Sequence, residues 1–243
     1  MIPLTSAQLR GALDALGAIG EGCAGRDAFA RRGVECLPRL VASELTTLSV
    51  CNLDDGQRAV VSDQPGAISA RELAVFDRHF HDHPLVREHG RNPHAQTRRI
   101  ADLLPEAEFR RTPLYNDYYR PIGIDHVMAV PIHVDRRFLV SFVFNRAGRA
   151  FSESDLACLE AIRPHLGSLY RLTGAPGRAG DAALQGLTLR ERDVLRWVSA
   201  GKTDRDIGAI LGISRRTVHK HLQRIYEKLG VETSTAAAAR ALE

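Results

Sequence analysis

Basic side chains recur on one side of a segment near the carboxyl-terminal end of the chain. Residues 213–231 read ISRRTVHKHLQRIYEKLGV. Apolar residues at i, i+4, i+7 and i+11 predict the buried stripe of an α-helix: Val218, Leu222, Ile225 and Leu229. Arg216, Lys220 and Gln223 fall on the opposite side. Arginine and lysine suit phosphates and guanine edges and glutamine suits adenine, so this face predicts contact with nucleic acid.

The segments around this helix predict the elements that position it. Thr203 and Asp206 form a capping arrangement at the start of a preceding helix, and Gly212 predicts its end. Thr188 and Glu191 repeat the capping pattern at the start of an earlier helix. Two helices joined by a short glycine-containing turn are a helix-turn-helix, whose second helix enters a DNA major groove. A last helix is predicted over 234–242, which gives an all-α unit of four helices.

Charge is concentrated in this part of the chain. Residues 187–243 contain 11 Lys and Arg against 7 Asp and Glu, so they account for the whole net charge of +4. A local excess of cations is the electrostatic signature of a protein that binds a polyanion.

Residues 187–231 also resemble the DNA-binding domain of LuxR-type (FixJ/NarL-type) bacterial transcription regulators. The matching positions include Leu187, Thr188, Arg190, Glu191, Val194, Leu195, Gly201, Ile207, Leu211, Ser214, Thr217, Val218, His221, Lys228 and Leu229. The sequence departs from the family at Asp206, at Gly208 and in the tail TSTAAAA. The first two changes are small and lie on the supporting helix, whereas the third lies in the last helix, where the resemblance implies dimer contacts.

The resemblance implies a set of DNA contacts, carried over position by position. Four residues would face the major groove: Arg216, His219, Lys220 and Gln223. Four others would touch backbone phosphates: Thr203, Arg215, Thr217 and Lys228.

Residues 1–172 predict a separate α+β domain, a small antiparallel sheet wrapped by helices. Strands are predicted over 46–53, 126–134 and 137–146, the last two joined as a hairpin. Helices are predicted over 7–19, 26–41 and 151–172, the last of them interrupted by Pro164. Residues 173–186 are rich in Gly and Ala and predict a linker.

The residues of this domain disfavour two known types of sensory domain. Residues 1–201 contain no lysine, which a phosphoacceptor receiver needs, and Asp54 and Asp55 are better explained as a hairpin turn. Acyl-homoserine-lactone domains carry tryptophans around their pocket, but the one tryptophan here is Trp197. The domain vaguely resembles a GAF- or PAS-like sensory fold.

Two clusters in the N-terminal domain are candidates for binding. The tyrosines of LYNDYYRP together with a strand phenylalanine could line a ligand pocket or cover the sheet: Tyr115, Tyr118, Tyr119 and Phe142. The segment 77–94 is rich in histidine and could hold a metal ion, although its spacing matches no closed motif and surface or capping roles explain it as well: His79, His81, His83, His89 and His94.

These patterns predict a cytoplasmic, non-enzymatic bacterial regulator without a cofactor. Its expected partners are double-stranded DNA, an unidentified small-molecule effector and a second copy of the chain, and RNA polymerase is a candidate. No secretory signal or membrane span is expected, and the scattered cysteines suit a reducing compartment. Two alternatives stay open: a ligand-blind dimeric regulator, and a metal-dependent N-terminal domain that uses the histidine-rich segment.

Overall fold

A computed structural model of the chain describes residues 3–21, 25–54, 56, 58–64, 66–173, 187–199, 202–231, 233 and 237. The chain divides into two compact units, Met1–Thr173 and Gly174–Glu243. Residues 174–186 of the predicted linker and most of the predicted last helix lie outside the described residues.

The N-terminal unit is built on an antiparallel sheet with the strand order β2-β1-β5-β4-β3. The strands are Leu45–Asn52 (β1), Arg58–Ser62 (β2), Arg98–Arg99 (β3), His126–Val134 (β4) and Phe138–Arg146 (β5). The predicted hairpin joins β4 to β5, and the Asp135 carboxylate accepts the backbone N–H groups of Arg137 and Phe138 in its turn. Short-range turn chemistry of this kind fixes the register of the pair.

Helices cover both faces of the sheet. Within the described residues the α-helices of this unit are Ser6–Glu21 (α1), Arg26–Cys36 (α2), Ala70–Arg78 (α3), Pro84–His89 (α4), Glu106–Phe109 (α5) and Glu153–Leu172 (α6). A π-helix spans Tyr115–Tyr119, and short 3-10 turns lie at Leu37–Arg39, Phe80–Asp82 and Ile100–Asp102. A sheet wrapped by helices confirms the predicted α+β fold.

Alternation along the strands divides the core of this unit into two layers. Val140, Phe142 and Phe144 of β5 pack with residues of α1, α2 and α6 on one face. Leu139 of β5 packs on the other face, with residues of α3, α4 and the π-helix. The sheet is thus buried on both sides, which explains why β5 has an unbroken apolar run on each side of Ser141.

Helix α6 runs without a break through Pro164, where the sequence predicted an interruption. Proline lacks an N–H donor, so one intrahelical hydrogen bond is missing there. A capping box at Ser152 fixes the start of the helix, and Leu159, Ile162 and Leu166 are buried against the sheet. These contacts hold the helix together across the missing bond.

Among the described residues of the C-terminal unit, all regular elements are helices. Its helices are Leu189–Ser199 (α7), Asp204–Leu211 (α8) and Arg215–Leu229 (α9). Their apolar stripes meet in one core, which also includes the helical residue Ala237 of the predicted last helix. Among the described residues of the whole chain, no helix combines the length and apolarity needed to cross a membrane.

Candidate nucleic-acid interface and N-terminal cavity

The turn between α8 and α9 is short and is fixed by glycines and a serine cap. Gly212 ends α8 in the left-handed region, with φ 65° and ψ 31°. The Ser214 hydroxyl accepts the backbone N–H of Thr217 at 3.1 Å and begins α9. A Cβ at Gly208 would lie 2.8 Å from the carbonyl oxygen of Ile213, so the turn passes directly against α8. This is the geometry of a helix-turn-helix in which α9 is the second helix.

Helix α9 exposes the face that the sequence predicts for nucleic acid. Val218 is fully buried, whereas Arg216, Lys220 and Gln223 are exposed on the opposite side at i, i+4 and i+7. Glu227 follows one turn later on the same face. The basic stretch therefore occupies the N-terminal half of the helix, which is the part of a recognition helix that reaches base edges.

Three other predicted contact residues lie at helix N-termini. The Thr203 hydroxyl donates to Asp206 at 2.7 Å and caps α8. The hydroxyls of Thr217 and Ser214 are 2.8 Å apart in the first turn of α9, and Arg215 is exposed beside them. Free backbone N–H groups and the helix dipole make these ends favourable places for a phosphate.

The last two predicted contact residues have protein partners. His219 is mostly exposed, and its Nδ1 lies 3.9 Å from a carboxylate oxygen of Asp204. The Lys228 ammonium donates to Oε2 of Glu191 at 2.7 Å, and Oε2 also accepts the backbone N–H of Thr188 at 2.7 Å. Lys228 thus ties α9 to α7, and it is still about one-third exposed, with a side-chain accessibility of 36%.

A cavity of about 40 Å³ lies in the N-terminal unit, between the sheet and α3 and α4. Its floor contains two cross-strand pairs, Ser49 with Ser141 between β1 and β5 and Cys51 with Arg58 between β1 and β2. Three more lining residues come from β4 and β5: Ala129, Leu139 and Val143. The other lining residues come from the helices that cover the sheet and the segments beside them: Phe76, His83, Leu85, Val86, His89 and Tyr119.

Four buried polar atoms among these lining residues have no hydrogen-bond partner within the described part of the protein. They are the hydroxyls of Ser49 and Ser141, Nε of Arg58 and Nε2 of His89. Ser49, Ser141 and Arg58 are not predicted as site residues from the sequence. No local signal marks the two serines, because both strands contain other polar residues and the residue that faces each serine is about 90 positions away in the chain.

Arg58 is held over the cavity by aromatic side chains. Its guanidinium carbon lies 3.6 Å from the centroid of the Phe76 ring, and Nη2 donates to the hydroxyl of Tyr118 at 3.2 Å. A cation stacked on a ring face is attracted by the quadrupole of the ring, so the ring of Phe76 and the hydroxyl of Tyr118 orient the guanidinium.

The two histidines of the cavity are buried and neutral. Burial is the main cause that lowers the pKa of His83 to about 3, and Arg58 and His89 contribute to the same decrease. The ring of His83 accepts the backbone N–H of Leu85 at Nδ1, so Nε2 carries the proton and donates to the Tyr119 hydroxyl at 2.7 Å. Burial also lowers the pKa of His89, to about 4, although a hydrogen bond from its ring to the backbone of Gln96 acts in the opposite direction and raises the pKa.

The structure separates the four residues predicted as a ligand pocket. Tyr119 lines the cavity and Tyr118 holds Arg58 above it. Tyr115 instead donates to Asp125 at 2.6 Å. Phe142 lies on the other face of the sheet, against α2, because odd and even positions of β5 face opposite ways.

The histidines of segment 77–94 do not gather at one site, although His83 and His89 both line the cavity. His83 caps α4, whereas His79 lies 2.9 Å from Asp117. In the described part of the chain no three His, Cys, Asp or Glu side chains are grouped as metal ligands.

Comparison with known proteins supports the assignment of the C-terminal unit. The model of the family described as bacterial regulatory proteins, luxR family, matches residues 185–241. The chain is similar to the transcriptional activator protein AnoR of Acinetobacter nosocomialis, with 45% identity over 56 residues, 23% of this chain and 24% of AnoR. It is also similar to the transcriptional activator protein EsaR of Pantoea stewartii, with 39% identity over 80 residues, 31% of this chain and 32% of EsaR. The matches span about a quarter to a third of these relatives, and the predicted resemblance is confirmed.

The N-terminal unit is similar in fold to a solved domain. The LBD domain of VqsR from Pseudomonas aeruginosa superposes with a TM-score of 0.52 at 15% identity, covering 70% of this chain and 97% of that domain. At this identity the similarity establishes a shared fold.

Proposed function

We propose, from the LuxR-family helix-turn-helix domain that the C-terminal unit carries, that this protein is a DNA-binding transcription regulator controlled by a small molecule held in the N-terminal unit. The observation that carries the proposal is the exposed face of Arg216, Lys220 and Gln223 on a helix that a fixed turn presents outward. Base edges in the major groove are the binding partner that this combination of side chains suits.

The assignment of α9 to the major groove predicts which substitutions weaken binding. A preferred sequence would first be selected by the full-length protein from a random pool of duplex DNA. Arg216→Ala and Lys220→Ala should each weaken binding to the selected sequence by about 1–3 kcal/mol and relax its specificity. Glu227→Gln, at the acidic end of the same face, is the matched control and should not weaken binding. Unaltered affinity of both alanine variants in a gel shift would refute the assignment.

The residues at the helix N-termini should act differently. Thr203, Arg215 and Thr217 would touch phosphates, which carry no sequence information. Arg215→Ala should therefore weaken binding to selected and unrelated DNA equally, and reduce the slope of log affinity against log salt by about 1. A loss confined to the selected sequence would instead indicate contact with a base.

We assign the effector site to the cavity over β1 and β5. Buried polar atoms without partners are rare in folded proteins, and four of them line one cavity here. Mass spectrometry of small molecules retained by the protein under native conditions tests this proposal. Retention of none, together with DNA binding that no extract of small molecules alters, would favour the ligand-blind regulator.

Dimerisation is proposed through the N-terminal unit. Leu9 and Leu13 of α1 are 53% and 60% exposed on one side of that helix, while Leu16 packs against the core. Leu9→Lys together with Leu13→Lys should convert a dimer into a monomer in light scattering at micromolar concentration. A parent protein that is already monomeric there would refute the proposal.

The dimer has a consequence for DNA binding. One helix-turn-helix contacts few bases, and two are normally needed on half-sites about one DNA turn apart. Fragment 187–243 should therefore bind the selected DNA more weakly than the full-length protein at equal salt, and without any response to effector. Equal affinity of the fragment and the full-length protein would refute the proposed role of the N-terminal dimer in DNA binding.

A further inference from the structure

The unpartnered atoms of the cavity differ in what they offer a ligand. Nε of Arg58 is a donor, and the two serine hydroxyls can donate or accept. The His89 ring bonds the backbone of Gln96, and since Nε2 has no partner, that bond uses Nδ1. A neutral imidazole that donates through Nδ1 has a bare lone pair at Nε2, so His89 offers an acceptor.

Among the residues that line the cavity, one carries charge. Arg58 is the only lining residue that carries charge at neutral pH, because burial raises the pKa of Cys51 to about 12, raises that of Tyr119, and lowers those of both histidines. Four charged residues lie outside the lining: Asp77 acts on the Cys51 thiol, and Arg98, Arg163 and Glu160 act on His89. An anionic group beside Arg58 would therefore be stabilised.

The size of the cavity limits the ligand. A water molecule needs roughly 10–15 Å³ of such space, so about 40 Å³ holds roughly three waters or a molecule of a few non-hydrogen atoms. A long acyl chain does not fit unless the walls move.

We propose that the cavity binds a short hydroxycarboxylate, whose carboxylate accepts from Arg58 and the serine pair and whose hydroxyl donates to Nε2 of His89. The inference rests on the proposed function in placing the effector site here, and it adds the chemical class of the effector. The two serines face each other across β1 and β5 and are 3% and 5% exposed. A carboxylate over this pair would satisfy both hydroxyls together with the guanidinium.

Four probes separate the features of the ligand when titrated calorimetrically into the full-length protein. Glycolate carries both the carboxylate and the hydroxyl, and should bind. Glycolamide keeps the hydroxyl but is neutral, and acetate keeps the charge but lacks the hydroxyl, so each should bind at least about tenfold more weakly. N-octanoyl homoserine lactone tests a long acyl ligand and should not compete with glycolate.

Variants locate the binding at the cavity. Ser49→Ala should weaken glycolate binding about tenfold, as should Arg58→Gln, whereas Arg58→Lys keeps the charge and should bind better than Arg58→Gln. Thr46→Val is the matched control, because it removes another buried hydroxyl without a partner from the same strand, and Thr46 does not line the cavity. Its affinity for glycolate should equal that of the parent.

The experiments separate failure of the hydroxycarboxylate proposal from failure of the proposed function as a DNA-binding regulator. No heat from any probe, with a crystal structure that shows only water in the cavity, overturns the hydroxycarboxylate. Binding that Arg58→Gln and Ser49→Ala leave unchanged overturns the site, and displacement of glycolate by the lactone overturns the ligand class. Binding of the full-length protein to the selected DNA is measured separately. If it persists, the regulator proposal stands whatever the probes do.

Discussion

The ion pair between Lys228 and Glu191 should be a main source of stability in the DNA-binding unit, and Lys228→Met tests it. Glu191 is 2% exposed and shares its Oε2 between Lys228 and the backbone N–H of Thr188. Breaking a buried pair by removing one partner costs about 3–5 kcal/mol, whereas exposed pairs contribute about 0–1 kcal/mol. Since Lys228 is itself 36% exposed, we expect a loss of about 1–3 kcal/mol.

Tryptophan fluorescence measures the stability of the C-terminal unit separately from that of the N-terminal unit. Trp197 is the only tryptophan of the chain and packs against the core of the C-terminal unit, so its emission during urea unfolding reports on that unit alone. Glu191→Gln keeps an acceptor for the N–H of Thr188 and removes the charge. The double variant with Lys228→Met should therefore be more stable than Lys228→Met alone. A Lys228→Met midpoint equal to that of the parent would refute the reasoning.

The pH dependence of the loss provides a second check. Burial raises the pKa of Glu191, but hydrogen bonds from Lys228 and Thr188 outweigh burial and hold the pKa below its ordinary value of 4.5. A carboxyl whose pKa is depressed by folding contributes stability above its unfolded value, and that contribution is lost as the pH falls through the folded value. The difference between the parent and Lys228→Met should therefore shrink below about pH 4.5. A constant difference down to pH 3 would mean that the lost stability is not electrostatic.

Two further predictions concern the N-terminal unit. Gly33→Ala would place a Cβ 2.3 Å from the buried ring of Phe142 and should lower stability by about 1–3 kcal/mol in thermal unfolding, whereas Gly148→Ala, with open space around it, is the neutral control. His83 and His89 are neutral when folded and take up protons on unfolding, so stability should fall as the pH drops from 6.5 toward about 4, by about 1.4 kcal/mol per pH unit for each histidine. Replacement of His83 by Phe should remove part of this slope, and an unchanged slope would contradict the assignment.

Local signals explain what the sequence could predict. The caps at Ser152, Thr203 and Ser214 involve residues three positions apart, and the structure has a side-chain hydrogen bond at each. The β4–β5 hairpin is equally local, since one aspartate and its turn set the register. The helix-turn-helix combines such features within 30 residues, which is why its elements follow from the sequence.

The cavity could not be predicted because its parts come from distant segments. Ser49 and Ser141 meet through strand pairing, and His89 approaches from a helix that has its own cap. The alternation of β5 predicts that Phe142 and Phe144 share a face, but apolar residues on both faces leave open which helices cover that face. The number of histidines in segment 77–94 made a metal site one interpretation of the sequence, whereas burial makes His83 and His89 neutral hydrogen-bonding groups.

The two faces of the sheet suggest a hypothesis for how the effect of ligand binding is transmitted from the cavity to α6. Ser141 faces the cavity, and its neighbour Phe142 packs in the layer that contains α6. A Cβ at Gly167 of α6 would lie 2.8 Å from the carbonyl oxygen of Ile132 in β4, so the helix packs directly against the backbone of that strand. Hydrogen exchange should therefore slow in α6 when the cavity is filled, and Ser49→Ala should abolish the effect. If hydrogen exchange in α6 is unchanged with a bound ligand, the effect of binding would instead be transmitted through α3 and α4.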